Sequence, residues 1–265
     1  MSVHRSAPAA RPLVFAHRGG AKLAPENTLA AFDRGLEAGA DGLELDVRLT
    51  RDLQPVVCHD ATLDRTTDAT GPLRAYDASD LAGVDAGFHF RGPQGDWPYR
   101  GRGVRLPLLA DVLARYGHLP LIVELKEADL ELARAVVRLF AAAAPSRACT
   151  GSFYGPPLRE VRRLAPAVPT GASGWEVRMA LYRSWLRWPS DGVPYRALQV
   201  PERREAHRIV SPRFVRAAHR AGVAVQVWVV DEPDRIRRLL GWGVDGIITD
   251  RPDVAAAIVA DLRRG

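Results

Sequence analysis

The stretch GLELDVRLT, residues 42–50, alternates apolar with charged side chains: Leu43, Leu45 and Val47 against Glu44, Asp46 and Arg48. Such alternation marks a strand, whose successive side chains point to opposite faces. Glu44 and Asp46 therefore share one face as adjacent like charges. LIVELK, residues 121–126, repeats the device, with Val123 and Leu125 on one face and Ile122, Glu124 and Lys126 on the other. Working outward, strands are expected near 13–17, 43–49, 121–126, 149–153, 168–172, 197–200, 224–230 and 246–249. Helical patterns fall between them, near 27–39, 107–117, 128–143, 157–165, 175–187, 211–221, 232–241 and 252–263. Ser211-Pro212 opens one helix and Gly222 follows its end, the usual asymmetry of helix punctuation. Strand–helix alternation predicts a parallel sheet. Eight such units in 265 residues are the size of a (β/α)8 TIM barrel. The competing doubly wound sheet lacks support, because no GxGxxG follows the first strand.

One unit departs from the pattern. Residues 51–54 read as a tight turn, so that PVVCHD, residues 55–60, pairs back on the preceding strand as a hairpin. A Gly/Pro/Asp-rich stretch then runs to about residue 106. So long a structureless loop is unusual inside a compact domain. Residues 61–106 are therefore expected to fold as a small insertion after the second strand region, within a single domain spanning 1–265.

The net charge is +6, from 37 basic and 31 acidic residues. The arginines are scattered and form no stripe, so no nucleic-acid footprint is indicated, although a basic surface favours anionic ligands. Cys58 and Cys149 lie in no CxxC or Cys/His cluster, which removes zinc and redox-motif readings and fits a reducing compartment. The first residues lack a signal-peptide core and no apolar run reaches the roughly 18 residues of a membrane span. A cytoplasmic location without a transmembrane segment is expected.

Barrel enzymes build their sites at the C-terminal ends of the strands. With the apolar face of 42–50 turned outward to helices, Glu44 and Asp46 point inward near that end, joined by Glu124. Uncompensated carboxylates there are costly. A hard divalent cation relieves the repulsion; ion pairing with nearby bases is the plainer reading. Other groups share that end: His17 and Arg18 close the first strand, His59 closes PVVCHD, Lys126 follows Glu124, and Trp228 shares a face with Gln226. Each alone reads as a packing or ion-paired residue. Together they describe a cation polarising a substrate oxygen, an arginine fork and a lysine charge suited to phosphate, and two histidines that can divide acid and base work. The chemistry indicated is hydrolysis or transfer at a phosphodiester.

The segments AHRGG (16–20), PENTLAAF (25–32), GADGLELDV (39–47), VVCHDATLDRTT (56–67), VELK (123–126) and GVDGIITDRP (243–252) resemble, in order, the glycerophosphodiester phosphodiesterase family. The resemblance implies a (β/α)8 barrel with an insertion after the His-Asp segment. It implies that His17 and His59 are the catalytic acid–base pair and that Glu44, Asp46 and Glu124 hold Mg2+ or Ca2+. It further implies that Arg18 and Lys126 contact phosphate, Trp228 lines the glycerol side, and Glu26 and Asn27 support the site from behind. The products would be glycerol 3-phosphate and an alcohol such as choline or ethanolamine. Asp231 stands where the family often has Asn, and Leu108 where it often has Thr. The segment 173–200, with three of the six tryptophans, matches nothing in that pattern. Ordinary burial preference makes it a barrel helix with large packing residues; the alternative is an Arg/Trp-rich rim in peripheral contact with membrane lipid. Two other functions stay open. One is a lysophospholipase D, which needs an apolar channel for an acyl chain. The other is a non-catalytic barrel that binds phosphodiesters, which needs no paired histidines.

Overall fold

The alternation at 42–50 is realised as a central strand whose two faces meet different surroundings. A computed structural model describes residues 11–186, 188, 192–205 and 207–262. Its strands are β1 (Leu13–His17), β2 (Gly42–Leu49), β3 (Pro55–Val57), β4 (Pro120–Leu125), β5 (Arg147–Gly151), β6 (Ala197–Pro201), β7 (Arg203–Arg204), β8 (His207–Arg208), β9 (Ala224–Trp228) and β10 (Gly246–Thr249). Seven of them run parallel in the order β5-β4-β2-β1-β10-β9-β6. The ring closes through two isolated bridges, Thr150 to Thr170 and Gly171 to Ala197. This is the expected (β/α)8 barrel, with one correction. The strand expected at 168–172 shrinks to those two residues. Pro169 has no N–H to give a ladder, and the space beside Gly171 belongs to Gln199, whose Oε1 lies 2.5 Å from where a Cβ would sit.

The helices are α1 (Leu29–Glu37), α2 (Leu109–Tyr116), α3 (Leu130–Ala143), α4 (Gly155–Leu164), α5 (Gly174–Leu186), α6 (Pro212–Arg220), α7 (Pro233–Gly241) and α8 (Pro252–Asp261). Local sequence sets their starts. The Thr28 hydroxyl accepts from the Ala31 N–H at α1, Asp129 from Glu131 at α3, and Ser211 from Phe214 at α6, each satisfying an otherwise unpaired donor. The expected last residues of α5 (187) and α8 (263), and residues 1–10 in which a leader was sought, lie outside the described residues. None of the described helices is long and apolar enough to cross a membrane.

Leu43, Leu45 and Val47 of β2 and Val123 and Leu125 of β4 pack outward on Phe32, Leu109, Val112, Leu132 and Val136 of the helices. On the other side Val200, Val225, Val227 and Ile247 meet Phe214, Ile236, Leu239 and Ile258. The barrel interior is plugged by Phe15, Ile122 and Ile248, with Leu13 and Trp228 against them. The next inward positions along β1, β2 and β4 are therefore lifted to the open end, and those positions are the charged ones.

The hairpin forms as expected: β3 runs antiparallel to β2, pairing Val47 with Val57 and Leu49 with Pro55. It returns the chain to the open end at His59. Residues 61–106 carry two short 3-10 turns, Leu73–Ala75 and Asp80–Gly83. Leu63, Leu73, Leu81, Val84 and Leu106 gather with Val56 and Cys58 in an apolar cluster apart from the main core. The packing expectation for 173–200 fails: Trp175, Trp185 and Trp188 are 63%, 49% and 68% exposed. The inward stripe of α5 consists of the partly buried Val177, Ala180 and Leu181 and the buried Ser184, at helical spacing, so the large rings face away from the barrel.

A close approach fixes α1 against the turn after β1. A Cβ at Gly35 would lie 2.5 Å from the Gly19 carbonyl oxygen and 2.8 Å from Ala16 Cβ. Gly35→Ala should therefore lower stability by about 1–3 kcal/mol, read as a lowered Tm. Gly83→Ala, where an added Cβ meets nothing within 4 Å, should leave Tm unchanged.

Candidate functional site

The chain leaves β1 through Arg18, Gly19 and Gly20, three successive residues at positive φ (51°, 87° and 94°). This conformation is easy for glycine and costly for arginine. Contacts hold Arg18 there. Its N–H donates to Glu44 Oε2 at 3.2 Å, and its Nη1 donates to Glu26 Oε1 at 2.9 Å. Its buried Nε lies 3.0 Å from Asp46 Oδ2, an ion pair without hydrogen-bond geometry. Asn27 is also at positive φ (58°). Its Nδ2 donates to Asp46 Oδ2 at 2.9 Å, and its Oδ1 accepts from the Asp46 N–H at 3.2 Å. Glu26 and Asn27 thus stand behind the site, one on Arg18 and the other on Asp46.

Strand register gathers the acids. His17 pairs with Glu44 across β1 and β2, and Asp46 pairs with Glu124 across β2 and β4. One carboxylate oxygen from each of Glu44, Asp46 and Glu124 lies within 4.8 Å of the other two. Burial, then the Asp46 charge, pushes Glu44 up to about 8. Burial likewise raises Glu124, despite Lys126. Burial also works against the Asp46 anion, yet Arg18, Lys126, His59 and the Asn27 hydrogen bond outweigh it and hold Asp46 below the usual range. Lys126 Nζ sits 3.4 Å from Asp46 Oδ1 and 3.3 Å from Glu124 Oε1. If all three carboxylates were ionised, Arg18 and Lys126 would leave one negative charge unmatched, and burial answers this by keeping a proton on Glu44 up to about 8. An all-oxygen donor set in which Glu44 and Glu124 resist ionisation alone fits a hard divalent cation.

Each histidine is anchored by a carboxylate. His17 Nδ1 meets Asp250 Oδ1 at 2.7 Å, while its Nε2 lies 3.9 Å from Glu44 Oε2. Burial favours the neutral His17 ring, but the Asp250 hydrogen bond and the Glu44 and Asp250 charges prevail and raise it. His59 Nδ1 meets Asp60 Oδ1 at 2.6 Å. Here burial prevails over Asp46 and Asp60 and lowers the ring below its ordinary value. With Nδ1 held in this way, Nε2 is the nitrogen left for other chemistry.

His17, Arg18, Glu44, Asp46, His59, Glu124, Lys126 and Trp228 line one cavity of about 640 Å³. Phe153, Ala172, Val177 and Ile209 add apolar lining, beside the polar Gln199, Arg203, Arg204 and Glu205, and Phe153 meets Trp228 edge to face at 5.8 Å. Further residues complete the constellation, and of these the sequence reading singles out only Asp231. Asp250 and Asp60 hold the histidines. Arg65 Nη1 and Nη2 donate to Glu26 at 2.8 and 2.7 Å, and its Nε donates to Asp60. Asp231 accepts from the Thr249 hydroxyl at 2.7 Å and the Asp250 N–H at 2.9 Å, and pairs with Lys22 at 2.8 Å. Those donors suit a carboxylate at that position. The signals were the acids immediately after His59 and after β10, at the same barrel end.

Residues 17–254 match the glycerophosphoryl diester phosphodiesterase family. A glycerophosphodiester phosphodiesterase of Caldanaerobacter subterraneus subsp. tengcongensis is 34% identical, over 94% of this chain and 98% of its own length. The crystal structure of a glycerophosphodiester phosphodiesterase from Agrobacterium tumefaciens superposes with a TM-score of 0.73 at 30% identity, covering 93% of this chain and 99% of that one. An Oleispira antarctica phosphodiesterase in complex with its product sn-glycerol-3-phosphate superposes with a TM-score of 0.74 at 25% identity, covering 94% and 97%. The family match begins at His17 itself and extends past Asp250, so it takes in the whole charged end of the barrel. The chain belongs to the glycerophosphoryl diester phosphodiesterase family, a family of phosphoric diester hydrolases.

Proposed function

We propose that this chain hydrolyses glycerophosphodiesters to glycerol 3-phosphate and a free alcohol, with His17 and His59 as the acid–base pair and Glu44, Asp46 and Glu124 as ligands of Mg2+ or Ca2+. The charge balance of the cavity carries the reading. With all three carboxylates ionised, as a bound cation would require, one negative charge remains after Arg18 and Lys126 have faced them. A divalent cation reverses that sign, and a phosphodiester monoanion then neutralises it. When bound, the cation would supply Lewis-acid polarisation of a phosphoryl oxygen. Arg18 and Lys126 take the remaining phosphate oxygens, where their charge is worth most as negative charge builds up. One histidine removes a proton from the nucleophile and the other protonates the leaving alkoxide. The nucleophile is water, or the glycerol 2-hydroxyl by way of a cyclic phosphate. Trp228, braced edge to face by Phe153, offers an apolar wall to the glycerol carbons.

A second substrate class is favoured by one feature. Ala172, Val177 and Ile209 line the same cavity as the charged residues, and an acyl chain of a lysophospholipid suits those apolar side chains. Turnover that rises with chain length would support that class. The deciding assay is glycerol 3-phosphate release from glycerophosphocholine with Mg2+, with Ca2+ and with a chelator. Release that requires a cation and stops with the chelator is expected. No release with either metal would overturn the assignment of this substrate.

A further inference from the structure

Helix α5 turns its large side chains away from the protein. Trp175, Tyr182, Trp185 and Leu186 are 63%, 45%, 49% and 70% exposed, and their spacing places them on one stripe of the helix. Tyr182 and Trp185 stack edge to face at 5.6 Å. Single exposed apolar residues are ordinary, whereas a contiguous ridge marks a contact surface.

The exposed charge of the described residues on α5 has one sign. Arg178 is exposed on the same stripe, 5.8 Å from the Trp175 ring, and the exposed Arg213 donates to the Trp185 carbonyl. The one carboxylate of α5, Glu176, is turned inward, hydrogen-bonded to Arg162 and to Ser173. The ridge also adjoins the cavity mouth. Gly174 and Val177 of α5 line the cavity, and the Gly174 N–H donates to the carbonyl of Phe153, another lining residue.

We propose that this face of α5 is a docking surface for an anionic lipid bilayer. Tryptophan and tyrosine, with an apolar body and a polar tip, suit the interface between headgroups and acyl chains. An apolar stripe beside arginines is the composition of helices that lie in that interface. A second copy of the chain suits the surface less well: an isologous contact brings the same patch of both copies together, two faces that carry arginine and turn the one carboxylate of α5 inward. The surface stands whether or not the chemistry assigned to the cavity holds.

The test is co-sedimentation with vesicles of phosphatidylcholine alone and of phosphatidylcholine with phosphatidylglycerol, at low and high salt, alongside tryptophan fluorescence. Binding to the anionic vesicles at low salt is expected, with a blue shift of the emission and weakening as salt rises. Trp185→Ser combined with Leu186→Ser should weaken it about tenfold or more, with an unchanged circular dichroism melt. Arg178→Glu, which keeps the rings, should lose the preference for phosphatidylglycerol. Absence of binding by the native protein, or equal binding by the serine double variant and by Arg178→Glu, overturns the proposal. A dimer in sedimentation velocity that the serine substitutions abolish overturns it too, and gives the face to a second copy.

Discussion

His17→Ala and His59→Ala should each lower turnover of glycerophosphocholine by about 100- to 10,000-fold while the protein stays folded. Neither ring belongs to an apolar core cluster, so stability should change little. Each ring has its Nδ1 tied to a carboxylate, Asp250 or Asp60, which leaves Nε2 as the working atom. Removing both rings together should cost little more than removing one, because a relay missing either member is already broken. Asp250→Asn separates positioning from chemistry. It keeps the His17 ring but weakens its anchor, so kcat should fall less than with His17→Ala and its pH dependence should shift. Native turnover in either alanine variant would remove the acid–base assignment.

Glu44→Gln should give a protein that is inactive, blind to metal and, without metal, more stable than the native chain in alkali. Glu44 is raised from 4.5 to about 8 by burial and by Asp46. A group raised in the folded state holds its proton there after the unfolded chain has lost it. Its contribution to stability is therefore full below about 4.5 and is lost as pH rises through about 8. In alkali the metal-free protein carries a buried anion beside Asp46 and Glu124, and the amide removes that burden, by an amount on the order of a few kcal/mol. A cation must displace the proton below about 8, so its affinity should climb with pH and level off above that point. Calorimetric melts on both sides of that pH, with and without Mg2+ or Ca2+, measure all of this. In the native protein the metal-induced rise in Tm should be larger on the alkaline side; in Glu44→Gln it should vanish. An equal rise in both proteins would take Glu44 out of the ligand set.

The sequence made the barrel legible wherever one periodicity prevailed. In β2 and β4 the alternation separates core from cavity residue by residue, and the structure follows it without a shift in register. Where two demands competed, the pattern misled. Residues 168–172 read as a strand, but Pro169 and the Gln199 side chain reduce the ladder there to two bridges. In α5 both faces are rich in apolar residues, so periodicity identified a helix and could not say which side was buried. Burial went to the smaller side chains. The inward acids, the bases and Trp228 were visible because each sits on or just past a strand whose faces could be assigned. Asp250 was not, because its partner His17 lies 233 residues away and only closure of β10 onto β1 brings them together. Arg65 escaped for the same reason, lying in a stretch with no period to read.

Arg65 belongs to the stretch after the hairpin, yet it closes a run of alternating charges from Asp60 through Glu26 and Arg18 to Asp46. That stretch is therefore not an interchangeable module. A chimera that grafts the corresponding segment of a relative onto this barrel inherits a working site only if the graft restores a guanidinium at residue 65. The excursion is tied to the barrel at several points, through Arg74 to Glu127 and Asp129 and through its apolar cluster on Val56 and Cys58, but Arg65 is the tie that reaches the site, and there its evolution is coupled to that of the barrel mouth.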